Sequence, residues 1–143
     1  MEKLVLASDH GGFELKEIIK NYLPALGAYE INDLGTDSPV SVDYPEYGRQ
    51  AAKAVAKGQA NRGIIFCGTG IGISMAANKI KGIRAANCTS EIMAEMSRRH
   101  NDANILALGG RLLDPELAKK IVQIWLTTPF EGGRHERRVK QLG

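Results

Sequence analysis

The sequence predicts an α/β fold, a five-stranded parallel sheet covered by helices on both faces. Three observations carry this reading. Five short apolar runs with strand composition alternate with helical patterns along the 143 residues, an arrangement that right-handed crossovers turn into a parallel sheet. The third run, Gly63 to Phe66, has no polar interruption, as a strand buried on both faces reads. It leads through Cys67 and three alternate glycines, Gly68, Gly70 and Gly72, into a helical segment; ligands of such sheets bind outside the carboxyl ends of the strands.

The elements follow in order. Lys3 to Ala7 is the first strand, ending at Ser8-Asp9-His10-Gly11-Gly12. Phe13, Leu15, Ile18, Ile19, Tyr22 and Leu23 then keep close to the 3.6-residue period of an amphipathic helix, which Pro24 and Gly27 are expected to stop. Tyr29 to Leu34 reads as the second strand, and Gly35 to Tyr44 as a loop with turn chemistry throughout. Pro45 opens an alanine-rich helix over Tyr47 to Lys57, closed by Gly58. After the third strand and its turn, Ile73 to Asn78 is helical. Gly82 to Asn87 is the fourth strand, Thr89 or Ser90 caps a helix reaching Arg99, and Asn104 to Leu108 is the fifth strand. Asp114 as cap and Pro115 at the first position open a helix over Leu117 to Leu126. From Pro129 onward the chain holds Gly132-Gly133 and a basic helical piece. No linker or repeat interrupts this plan, so residues 1–143 are expected to form one domain.

Composition narrows the partners. A content of 43% hydrophobic and 24% charged residues suits a soluble globular protein, and a net charge of +3 is too small to argue for nucleic acid. Cys67 and Cys88 form no C-x-x-C pair and no disulfide framework, which implies a reducing cytoplasm. The N-terminal segment reads as a strand rather than a signal peptide, and no apolar run reaches membrane-spanning length.

Polar residues gather where strands end. The first strand delivers Asp9 and His10, the third delivers Cys67 to Gly72, and the fifth ends in Gly109-Gly110-Arg111; the segment before the fifth strand, His100-Asn101-Asp102, is grouped with them. The glycine turn sets backbone N–H groups and a positive helix end at one point, which favours an anion. Its thiol is a candidate nucleophile or base. Blander readings stand beside these. A dinucleotide fingerprint would need glycine where Ile73 stands, so NAD is disfavoured. A free cysteine is commonly a small buried hydrophobe, the reading that fits Cys88, whereas the strand-to-helix turn favours reactivity at Cys67. Asp9-His10 also reads as a turn with a helix cap, and His100 as a solvated helix end. Zinc on Cys67, His10 and His100 lacks ligand spacing. Arg134, Arg137, Arg138 and Lys140 read as a solvated basic face, although Gly132-Gly133 before them suggests a tail held in place.

Taken together, D-H-G-G-F-E-L-K (Asp9 to Lys16), V-D-Y-P (Val42 to Pro45), C-G-T-G-I-G-I-S-M-A-A-N-K (Cys67 to Lys79) and G-I-R-A (Gly82 to Ala85) resemble the type B ribose-5-phosphate isomerases. So do R-H-N-D-A-N (Arg99 to Asn104), L-G-G-R (Leu108 to Arg111) and E-G-G-R-H-E-R-R-V (Glu131 to Val139), in the right order across the chain. The resemblance implies a Rossmann-like three-layer α/β/α sandwich. It also implies a homodimer, or a dimer of dimers, with each active site built from both subunits. Some relatives use a glutamate at the position of Ile73, which cannot serve as a base here.

Aldose–ketose isomerisation suits these residues. It moves a proton between two carbons of an opened sugar through an enediolate and needs a base, oxyanion donors and cations for the phosphate. Cys67 is the expected base, and the N–H groups of Gly68, Gly70, Ile71 and Gly72 the expected donors. By the resemblance, Thr69 helps to move the hydroxyl proton and His100 opens the ring. Asp9 holds sugar hydroxyls with Tyr44 and Asn101 nearby, and His10, Arg111, Arg134 and Arg138 clamp the phosphate. No redox cofactor or metal is required, because the proton shift is internal. The expected substrate is D-ribose 5-phosphate, with D-ribulose 5-phosphate as product. Allose or galactose 6-phosphate is the alternative within the class, and a non-catalytic nucleotide-binding module the alternative outside it.

Overall fold

The computed structural model describes residues 1–143. Its elements are β1 (Glu2–Ser8), α1 (Phe13–Leu26), β2 (Tyr29–Asp33), α2 (Tyr44–Ala56), β3 (Arg62–Cys67), α3 (Ile71–Asn78), β4 (Ala85–Asn87), α4 (Glu91–Arg99), β5 (Ile105–Gly109), α5 (Pro115–Thr127) and α6 (Arg134–Leu142). The five strands form one parallel sheet in the order β2-β1-β3-β5-β4. Strand order reverses between β1 and β3, so the ends of these strands border the crevice where such sheets bind ligands.

Alternation along the strands divides the core into two layers. Leu4, Leu6, Ile64, Phe66, Leu106 and Leu108 face α1, α4 and α5, where Trp125 is the largest fully buried side chain. Val5, Ala7, Ile65, Cys67, Ile105 and Ala107 face α2 and α3, whose small residues Ala51, Ala52 and Ala77 let both helices lie close to the sheet. Cys67 therefore points toward the side of the sheet that α3 covers. Cys88 belongs to the other layer, where burial pushes its thiol up to about 11; it is a packing residue.

Four boundaries differ from expectation. Pro24 lies inside the last turn of α1, where a proline gives up one helical hydrogen bond at the exposed surface, and Gly27 alone ends the helix. Helix α2 begins at Tyr44 and α3 at Ile71, each ahead of the predicted start. The fourth strand shrinks to Ala85–Asn87, because Gly82 turns the chain at φ 85 and Arg84 is engaged by Asn104 instead of a ladder. The caps hold as read: Ser90 accepts from Met93 N–H at 3.2 Å and Asp114 from Glu116 N–H at 3.0 Å. No helix is long and apolar enough to cross a membrane.

A buried cation ties α1 to the end of β2. Lys16 is fully buried, and its Nζ donates to both carboxylate oxygens of Asp33 at 2.7 and 2.6 Å. Lys20 joins at 2.9 Å, and Asp33 also accepts from Gly35 N–H at 2.9 Å. Burial pushes the Asp33 carboxyl up, but the hydrogen bonds from Lys16 and Lys20 outweigh it and hold the group below its usual range. The resulting stability is present above the ordinary carboxylate range and is lost as the pH falls through the depressed value. Asp33→Asn is expected to cost about 2 kcal/mol or more in urea unfolding at neutral pH, Glu17 remaining at 3.3 Å as a weaker partner for Lys16. Its deficit should narrow in acid, and a deficit that stays constant down to acid unfolding would show that the pair contributes nothing specific.

Candidate active site

The carboxyl end of β3 forms a tight loop around the sulfur of Cys67. Gly70 N–H donates to Cys67 Sγ at 3.1 Å, so negative charge on the sulfur meets a donor already in place. Ile71 N–H donates to Thr69 Oγ1 at 3.2 Å. The N–H groups of Gly68, Thr69 and Gly72 have no acceptor within the chain, which leaves three donors at the start of α3 for an oxyanion. Gly70 has φ +81, and a side chain there would strike the Asn87 Oδ1 atom, itself buried without a hydrogen-bond partner. The turn is built for glycine.

Four predicted side chains surround this turn. Asp9 is buried and accepts from Gly12 N–H at 3.0 Å, where α1 begins. His10 Nδ1 accepts from Val42 N–H at 3.2 Å, so its Nε2 is the nitrogen available to a ligand. The Tyr44 ring lies over Gly72, where a Cβ would sit 2.6 Å from it. Arg111 donates its backbone N–H to Gly68 O at 3.0 Å and lays its guanidinium beside Gly68 and Gly11. An open cleft of about 530 Å³ runs between Asp9, His10 and the segment from Val42 to Glu46, with Arg49 at its margin.

His100, Asn101, Arg134 and Arg138 lie elsewhere, which corrects the grouping of His100-Asn101 with the strand ends. Helix α4 runs from the carboxyl edge of the sheet back to its amino edge, and His100 is its C-terminal cap. Register pairs Gly63 with Ile105 and Cys67 with Gly109, so Cys67 stands about 13 Å of strand above the row that follows His100. The amino edge is anchored by Trp125, whose ring meets the guanidinium carbons of Arg62 at 4.8 Å and Arg98 at 5.9 Å. Arg98 further bonds Thr128 O, Ala103 O and Asp102 Oδ1. Glu131 N–H donates to Arg99 O at 3.1 Å, which docks the segment leading to α6 beside His100. No carboxylate pairs with Arg111, Arg134, Arg137 or Arg138. The predicted site residues thus fall into two groups at opposite edges of the sheet.

Two neighbours escaped the reading of the sequence. Asn87 stands under Gly70, with its Nδ2 3.5 Å from Thr69 O. His135 is 6% exposed and stacks on His100, with ring centroids 4.2 Å apart and planes 15° from parallel. The only signals for His135 were its place four residues after Glu131 and its presence inside a recognised motif.

Comparison with known proteins identifies the family. Residues 4–142 match the sequence profile of the Ribose/Galactose Isomerase family, and the chain belongs to that family and is an isomerase. Ribose-5-phosphate isomerase B of Escherichia coli is 49% identical over 142 residues, covering 99% of this chain and 95% of that protein. The structure of ribose-5-phosphate isomerase B from Clostridium thermocellum superposes with a TM-score of 0.96 at 55% identity, covering 99% of this chain and 95% of its own. A protein of Pectobacterium atrosepticum named D-erythrulose-4-phosphate isomerase is 38% identical over 147 residues, covering all of this chain and 94% of its own.

Gly70→Ala tests the turn. The strained φ and the contact with Asn87 should lower the melting temperature by several degrees, and displacement of the loop that holds Cys67 Sγ and the neighbouring N–H groups should lower turnover about a hundredfold. Unchanged turnover would show that the N–H groups of this loop are not used.

Proposed function

We propose that this chain interconverts D-ribose 5-phosphate and D-ribulose 5-phosphate through an enediolate, with no redox cofactor or metal taking part. The observation that carries the reading is the Gly70 N–H held on Cys67 Sγ beside three unclaimed backbone donors. Cys67 as thiolate removes the proton from carbon 2 and returns it to carbon 1. The N–H groups of Gly68, Thr69 and Gly72 receive the charge that builds on the enediolate oxygens, and Thr69 Oγ1 relays the hydroxyl proton. Asp9 and Tyr44 hold sugar hydroxyls. The relatives named for ribose 5-phosphate favour a five-carbon substrate, and two buried free thiols suit a reducing cytoplasm.

The reaction is completed by a second copy of the chain. His100 and Asn101 of one subunit face the Cys67 turn of its two-fold mate, and Arg134 and Arg138 join His10 and Arg111 on the phosphate. Two findings support this arrangement. The half-sites lie at opposite edges of one sheet, where no side chain spans the gap. Helix α3 and the first turn of α4 also expose Ile71, Met75, Ile92 and Met93, between 42% and 62% accessible, next to the turn.

Purified, EDTA-treated protein is expected to turn over ribose 5-phosphate in preference to allose 6-phosphate and galactose 6-phosphate. Activity on a hexose phosphate alone would move the substrate class, and binding of ATP or NAD with no turnover at all would overturn the enzyme reading. Cys67→Ala should lower kcat about a thousandfold with little change in KM. Near-normal turnover of that variant would assign the base elsewhere.

The shared site is tested by refolding Cys67→Ala together with His100→Ala in equal amounts. Each mixed dimer then regains one of its two sites, and random pairing returns about a quarter of wild-type activity. No recovery, or an active monomer in sedimentation, would place both groups in one chain.

A further inference from the structure

We propose that His135 is a positioning residue for His100, setting the orientation in which that imidazole exchanges a proton with the sugar ring; this rests on the assignment of His100 to ring opening. The His100 side chain has no hydrogen bond within the chain, since only its backbone N–H is engaged, by Met96 O at 2.9 Å. The contact that orients its ring is the stack on His135. His135 is too deeply buried to meet an arriving sugar and therefore acts through His100.

The chain is shaped to bring the two rings together. Gly132 and Gly133 adopt φ values of 69 and 55, which L side chains rarely adopt, and so reverse the chain and start α6 beneath the end of α4. Glu131, docked on Arg99 O, lies with its Oε1 3.7 Å from His135 Nε2, an atom buried without a hydrogen-bond partner. Donor atoms of His100, Glu131 and His135 fall within 4.8 Å of one another, a grouping that invites a metal reading. The stack argues against it. Lone pairs of imidazole lie in the ring plane, and two nearly parallel planes cannot both aim at one ion at bond lengths of about 2.0–2.1 Å.

Charge divides the labour within the pair. The groups around His135 are His100 and Arg99 from α4, Glu131 from the connection, and Arg134 and Arg138 from α6. Burial, then the charges of His100, Arg134 and Arg138, hold His135 below the usual histidine value, with Glu131 opposing. Burial and the surrounding cations thus favour the neutral form of His135, so the face it stacks against His100 carries no second positive charge. A neutral ring face fixes the orientation of His100 without competing for its proton.

The test measures kcat, KM and the pH dependence of kcat on ribose 5-phosphate for wild type, His135→Ala, His135→Phe and His100→Ala. Folding and assembly of each are checked by circular dichroism and sedimentation. His135→Ala is expected to lower kcat about tenfold with KM within about twofold, the mark of a lost transition-state contribution. His135→Phe restores an aromatic face and should return kcat to within about threefold of wild type. Should His135→Ala fail to fold, His135→Asn supplies the loss of the aromatic face.

A raised KM with intact kcat would overturn the proposal by placing His135 on the phosphate. A phenylalanine variant no better than alanine would overturn it as well. Wild-type protein without isomerase activity, or His100→Ala with full activity, would instead overturn the proposed function on which this inference rests.

Discussion

Close backbone contact at the carboxyl ends of β1, β3 and β5 is the constraint from which the Cys67 turn follows. A Cβ on Gly12 would strike the backbone of Phe66, one on Gly110 would lie 2.7 Å from Gly11 O, and one on Gly109 would lie 2.6 Å from Thr69 O. Three strand ends therefore converge more tightly than chains with side chains could. Gly110 N–H then bonds Cys67 O at 2.8 Å and Arg111 N–H bonds Gly68 O at 3.0 Å. With those carbonyls occupied, the loop is held with its N–H groups turned outward. A catalytic donor set needs this rigidity, because oxyanion stabilisation depends on dipoles fixed before the charge arrives.

Strand pattern and turn chemistry were legible because each rests on local physics. The unbroken run Gly63 to Phe66 predicts a central strand, and β3 is central, between β1 and β5. Glycines after Cys67 predict a turn into a helix N-terminus, and the turn is there, with Gly70 at φ 81. What local physics does not hold is which edge of the sheet a residue occupies. His100-Asn101 precedes a strand and Asp9-His10 follows one, yet both read as polar segments beside apolar runs. The direction of α4 separates them: it starts after β4, at the edge that holds Cys67, and ends before β5, at the other. Asn87 and His135 were illegible for a related reason. Each is defined by a contact with a residue 17 and 35 positions away, Gly70 and His100 respectively, and a single sequence shows no such pairing.

On the proposed function, separation of the two groups of site residues lets a small chain bring a dianion and a thiolate to one site. The chain keeps Cys67, Asp9 and Arg111 at one edge and Arg134, Arg137 and Arg138, none of them paired with a carboxylate, at the other. Within one chain the clusters do not neutralise each other, as neighbouring opposite charges would. In the proposed two-fold assembly each edge would meet its complement, so the full electrostatic field of the site would arise only on assembly. Trp125, held between Arg62 and Arg98, braces the amino edge.

The start of α6 shows the strength of that demand. Arg134, Arg137 and Arg138 occupy the N-terminal half of a nine-residue helix, where the macrodipole disfavours cations, and Glu136 is the sole acid of the first turn. Glu136 pairs instead with Lys140 at 3.6 Å. The helix begins at two glycines in positive-φ space with no side-chain cap, another local disadvantage. Local energetics alone would not choose this segment. An anion bound at its N-terminus would reverse each term at once, satisfying free N–H groups, pairing the arginines and opposing the dipole. On the proposed function, the unfavourable features of α6 in the free chain would become favourable once a phosphate is bound.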